Sequence, residues 1–152
     1  MAIRKAEKKD FDAVKNIYLE GVVDEFHTQY PKKSRTIIFR ESFVPERLKS
    51  IKKAFKSKNE VIIVSEDNGE VIGFGHFKIY KNKIGWIEKE YIKASFRKRG
   101  IATKIIQKGL KWFKKMKINN IRAAIFVNNN PSSKLIKKSG FNPRHIVWEK
   151  VK

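Results

Sequence analysis

The chain contains no cysteine, which removes disulfides, thiolate nucleophiles and cysteine-based metal centres from consideration. Its three histidines, His27, His76 and His145, are far apart and in no metal-ligand spacing, so no metal is expected. Long apolar runs are missing too: none approaches the ~18 residues that a membrane-spanning helix needs. Residues 1–10 lack the apolar segment of a secretory signal, so the chain reads as cytoplasmic, with no membrane partner. Acids are outnumbered, 36 Lys and Arg against 15 Asp and Glu, for a net charge of +21. Such a surplus fits nucleic acid, an anionic cofactor, an acidic substrate or a solvated cationic surface, and charge alone does not choose. The lysines are scattered over every segment, with no interleaved exposed aromatics and no docking motif, so nucleic acid is not the expected partner.

What is present is enough for a core. At 152 residues and 41% hydrophobic content, the chain reads as one compact domain, 1–152, able to bury about 68–70% of its unfolded surface. A short strand over 2–6 leads to Asp10, a helix N-cap. Phe11, Val14, Ile17, Tyr18, Val22 and Phe26 then share a helical face. Periodicity lapses over 28–43, which predicts a loop, before a second helix with Leu48, Ile51, Ala54 and Phe55 inward. The period then shortens to that of strands. Segments 61–64, 71–80 and 84–92, joined by turns at Asp67-Asn68-Gly69 and Lys81-Asn82-Lys83, predict an antiparallel meander. Ile101, Ile105, Leu110, Phe113 and Met116 mark an amphipathic helix with Lys104, Lys108, Lys111 and Lys115 outward. A short buried strand over 121–127, a helix over 131–138 and a final strand over 141–151 complete a mixed α/β sheet flanked by helices, a meander followed by β-α-β.

The most informative segment joins the third meander strand to this amphipathic helix through Phe96-Arg97-Lys98-Arg99-Gly100-Ile101. A helix start offers unpaired N–H groups and a positive dipole end, a glycine permits close approach, and flanking cations attract anions from a distance. The expected ligand is a phosphorylated cofactor.

The same residues carry a family likeness that spans nearly the whole chain. Arg97-Lys98-Arg99-Gly100-Ile101-Ala102 matches the pattern Arg/Gln-x-x-Gly-x-Gly/Ala that opens a helix after an apolar strand. Asn129-Asn130-Pro131 and Gly140-Phe141 match a second motif at the right separation. Ile3-Arg4-Lys5-Ala6 with Asp10, and Val71-Ile72-Gly73-Phe74, add two further echoes. In these motifs and their order the chain resembles the GNAT superfamily of acetyl-CoA-dependent N-acetyltransferases.

The resemblance implies acetyl-CoA as co-substrate and an amine acceptor, a small molecule, protein N-terminus or lysine. It implies cofactor contacts along Ile92, Lys93 and Ala94 and from Arg97 through Lys98, Arg99, Gly100, Ile101 and Ala102 to Thr103, with Asn129 on the pantetheine arm and Lys138 near the cofactor. Ile92 would act through its backbone, where the strand parts from its neighbour.

Amine acetylation needs a base for the ammonium proton. Alternation puts Trp86, Glu88, Glu90 and Ile92 on one strand face. Glu88 is the first candidate base because many members carry a carboxylate there. Glu90 is the second, and Glu25 a further one, with Glu25 and Trp86 shaping the acceptor pocket.

Ile136 stands where members often place a tyrosine that protonates the leaving thiolate; Tyr80, Tyr91 or water are substitutes. Without a cysteine or a Ser–His spacing, direct attack in a ternary complex is favoured over a covalent route. A cofactor-binding sensor without turnover and a basic nucleic-acid-binding module built on Lys104, Lys108, Lys111 and Lys115 are the alternatives. Homodimers formed through sheet edges or the C-terminal strand also occur among GNAT-like domains.

Overall fold

The computed structural model describes residues 1–41, 44–148 and 150, without the side chains of 39 and 41. Five strands form one sheet in the order β1 (Ala2–Lys5), β2 (Glu60–Asp67), β3 (Glu70–Ile79), β4 (Gly85–Ile92), β5 (Ile121–Ala123). The first four are antiparallel to their neighbours, whereas β5 runs parallel to β4. A parallel neighbour needs a crossover, and α4 (Ile101–Lys115) supplies it. Asn68 and Gly69 both take positive φ, +48° and +80°, the geometry of a tight hairpin whose twist suits the strands it joins.

The sheet is covered on both sides, and the sequence of β2 shows why. Val61 and Ile63 point to one face and Ile62 and Val64 to the other, so the middle of this inner strand is apolar on both faces. On one side α1 (Phe11–Gln29) and α3 (Val44–Ala54) bury Val14, Ile17, Tyr18, Val22 and Ile51 against Ile62, Val64 and Phe74. On the other, α4 buries Ile101, Ile105, Ile106 and Phe113 against Val61, Ile63, Ile72 and Phe77. A last helix, α5 (Asn130–Lys138), packs Leu135 and Ile136 against the α4 side.

Four sequence expectations need correction. The segment expected as a loop contains α2 (Arg35–Glu41), because Ser34 caps it: its Oγ accepts the Ile37 N–H at 3.3 Å and Ile38 is fully buried. Asp10 does not cap α1; its carboxylate accepts the Glu7 N–H at 2.7 Å and two bonds from the Arg4 guanidinium, which holds its pKa below the ordinary value. The strand expected over 121–127 ends at Ala123 and is only half-buried, since β4 leaves it after Ile87. Finally, the described residues of 141–151 form no strand; Pro143 has no N–H to give a ladder, and Ile146, Val147 and Trp148 stand exposed.

Candidate active site

The site exists because two parallel strands separate. β4 and β5 pair only at Gly85, Trp86 and Ile87, opposite Ile121, Arg122 and Ala123. Beyond them the strands diverge around a cleft of about 630 Å³, at the carboxyl ends where an α/β sheet places its ligands. One bank carries the N-terminal turns of α4 and α5, and the other the last turns of α1.

On the first bank, Gly100 precedes α4 with φ of +71° and open space around the position a Cβ would take. This left-handed conformation suits glycine. No side chain caps the helix among the described residues, and Ile101, Ala102 and Thr103, whose helix-start amides have no intrahelical partner, line the cleft. Of the nearby cations, Arg97 Nη2 donates to Asp24 at 2.7 Å and its Nε to the Ile92 carbonyl at 3.0 Å. Arg99 donates to the Ser95 carbonyl at 3.1 Å and lies 5.1 Å from the Phe96 ring centre. Lys98 makes no ion pair among the described residues and lines the cleft. Asn129 also lines it while its Oδ1 accepts the Ser132 N–H at 3.2 Å, capping α5.

The floor is the open edge of β4. Lys93 N–H donates to the Ile72 carbonyl at 2.9 Å, so antiparallel alternation turns the N–H groups of Ile92 and Glu90 away from β3 and toward the gap. A bulge changes the side-chain pattern. Ile87 pairs with Phe77 but Lys89 with His76, leaving Glu88 as an extra residue. As a result Trp86 lies on the opposite face from Glu90 and Ile92, against simple alternation, and Trp86 does not line the cleft.

The carboxylates differ in their partners. Tyr80 Oη donates to Glu88 at 2.6 Å, and Tyr91 Oη donates to Glu25. Glu90 receives no hydrogen bond among the described residues, and burial pushes its pKa up to about 7, with Arg97 pulling down and Glu25 pushing up. Burial raises Tyr91 well above its usual value, reinforced by Glu25, so the phenol stays protonated. Burial also lowers Lys89, opposed by Glu25. Tyr91 fits under α1 because position 21 is glycine; a Cβ there would sit 2.1 Å from the Tyr91 ring.

The acetyltransferase (GNAT) family model matches residues 13–141. The chain belongs to the GNAT family. Among curated relatives, a putative phosphinothricin acetyltransferase of Bacillus subtilis is 24% identical over 145 residues, covering 93% of this chain and 83% of that one. Among solved structures, PaiA N-acetyltransferase from Thermoplasma acidophilum with coenzyme A aligns at a TM-score of 0.75, 19% identity, over 93% of this chain and 89% of that one. Aminoglycoside N-acetyltransferase AAC(6')-Iy with coenzyme A aligns at 0.71, 18% identity, over 99% and 93%. These structures share the overall fold of the chain, a mixed sheet flanked by helices.

The structure gathers most of the sequence candidates. Glu25, Glu88, Glu90, Ile92, Arg97, Lys98, Gly100, Ile101, Ala102, Thr103, Asn129 and Ile136 all line the cleft. Lys93, Ala94, Arg99, Trp86 and Lys138 do not; Lys93 pairs with Glu70, and Lys138 is exposed at the far end of α5. Glu41, which the sequence allows beside Glu25, Glu88 and Glu90 as a fourth carboxylate of a locally acidic acceptor pocket, has its side chain outside the described residues. Asp24 and Lys89 were missed. Asp24 had a signal: Gly21, Asp24, Glu25 and Thr28 recur at i, i+3, i+4 and i+7, a polar stripe on an otherwise apolar helix face. Among the described residues no cluster fit for a metal occurs and no helix is long and apolar enough to cross a membrane.

Proposed function

We propose that this protein is an N-acetyltransferase that transfers acetyl from acetyl-CoA to a primary amine by direct attack within a ternary complex. The observation that carries the reading is the parting of β4 and β5 between an uncapped helix start on one bank and a desolvated carboxylate on the floor. Acetyl-CoA supplies an activated acetyl thioester whose thiolate is a good leaving group.

The amides of Ile101, Ala102 and Thr103 bind the diphosphate, and Lys98 adds charge. Asn129 and the second helix start border the pantetheine path. The Ile92 N–H, turned out of the ladder, donates to the thioester carbonyl and stabilises the charge that builds there. Arg97 is a positioning residue: by holding Ile92 O and Asp24 it ties the floor to α1. Glu90 takes the ammonium proton of the acceptor, because a pKa near about 7 suits a base working at neutral pH. Glu88, the first choice from sequence, instead anchors the bulge through Tyr80. Both candidate phenols are committed to carboxylates, so the thiolate, with a pKa near about 8.5 by the cysteine reference, departs without one.

A panel of primary amines with acetyl-CoA, followed by thiol release, tests the reading. Turnover with at least one amine, strongly reduced in Glu90→Gln, is the expected result. Coenzyme A binding without turnover on any amine would replace the enzyme with a sensor.

A further inference from the structure

The positive charge of this protein is divided unevenly. Residues 91–148 hold fifteen lysines and arginines and not one aspartate or glutamate, whereas fourteen of the fifteen acids lie before residue 91. The bases are spread along the chain; the acids are not. A solvated surface of neutral purpose mixes both signs, so a general excess of lysine does not explain this stretch.

A diphosphate in the cleft does not explain it either. Lys104, Lys108, Lys111 and Lys115 recur at i, i+4, i+7 and i+11 on the solvent face of α4, opposite Ile101, Ile105, Ile106 and Phe113. All four are exposed and none makes an ion pair among the described residues. Lys115 lies about 18 Å along the helix axis from Thr103, more than two Debye lengths at physiological salt, so its charge is screened from the cleft. The macrodipole favours Lys114 and Lys115 near the C-terminus but opposes Lys104 in the first turns, and like charges four apart weaken an isolated helix. The row is therefore held against local preference.

We propose that the solvent face of α4 docks the protein on the phosphate backbone of a nucleic-acid duplex, independently of the chemistry in the cleft. The four lysines span about 16 Å of axis, a length of duplex bearing about ten phosphates at one per ~1.7 Å. The row consists of point charges without arginine, which fits phosphate contact and not base reading. No aromatic is exposed along it, since Trp112 packs on Phe113, and stacking of single-stranded bases therefore has no platform.

Fluorescence anisotropy with a short labelled DNA duplex tests this. With four phosphate contacts, affinity falls about a hundredfold between about 50 and 200 mM salt. The quadruple variant Lys104→Gln/Lys108→Gln/Lys111→Gln/Lys115→Gln loses about 3 to 4 from the log–log salt slope, while coenzyme A still raises its melting point. Absence of duplex binding by the parent chain overturns the proposal, as does an unchanged slope in the variant. Tighter binding to polyglutamate or to anionic vesicles than to the duplex overturns it in favour of an acidic protein or a membrane surface.

Discussion

The two banks of the cleft are made in different ways. The α4 bank is backbone: Gly100 and the amides of three consecutive residues, with Lys98 beside them. The opposing bank and floor are side chains drawn from distant segments, Asp24 and Glu25 from α1, and from β4 Glu88 in the bulge and Glu90 beyond it. A backbone site is encoded in a contiguous stretch and survives many substitutions. A side-chain site depends on register, and one extra residue in a ladder reassigns its members.

The comparison can be sharpened most strongly at Glu90. Glu90→Gln is expected to lower kcat by about 10²–10⁴-fold, and the acidic limb of the parent pH profile, with an apparent pKa of about 7, disappears. Stability moves the other way. Because the folded pKa is raised, the folded state holds its proton longer than the unfolded chain, and stability falls as pH climbs from about 4.5 to about 7. Thermal melts at pH 8 should therefore show the variant more stable by at most about 3 kcal/mol, and near pH 4 equal to the parent.

On the backbone bank, Ala102→Pro removes one donor from a helical turn that tolerates proline. A bond to a charged group contributes about 1.5–3 kcal/mol, so calorimetry should show coenzyme A affinity lowered by roughly 10–100-fold with little change in melting point. On the opposing bank, Gly21→Ala drives a methyl into the Tyr91 ring. Denaturant unfolding should register a loss of about 1–3 kcal/mol, and Tyr91 should lose its carboxylate partner. The smallest effect belongs to the tie between the banks. Arg97→Gln removes the charge that pulls Glu90 down, so the acidic limb shifts to higher pH while stability changes by less than about 1 kcal/mol.

Legibility followed the same division. The meander, α4 and α5 were readable because their apolar periods are long and their turns carry Asn68-Gly69 or Asn129 and Pro131. The glycine turn and helix start proposed to hold the diphosphate were readable because their parts are neighbours in sequence. The bulge at Glu88 was not, because it arises from pairing with β3 and leaves no local mark. Arg97 looked like a phosphate ligand, yet its partners, Asp24 and the Ile92 carbonyl, become visible only when α1 is laid across the cleft. The α2 helix was hidden by its shortness, although Ser34 was a start signal in plain view. At the C-terminus, alternating apolar residues read as a strand that Pro143 and the short β5 do not support.

The central claim is that coenzyme A is held where β4 and β5 separate, by the free amides of α4. Thermal unfolding with and without coenzyme A tests it most directly. At a hundredfold excess over Kd the ligand should add about 2.7 kcal/mol and raise the melting point by roughly 5–10 °C, with a smaller rise in Ala102→Pro at the same concentration. An unchanged melting point at millimolar coenzyme A, or an equal rise in that variant, would contradict it.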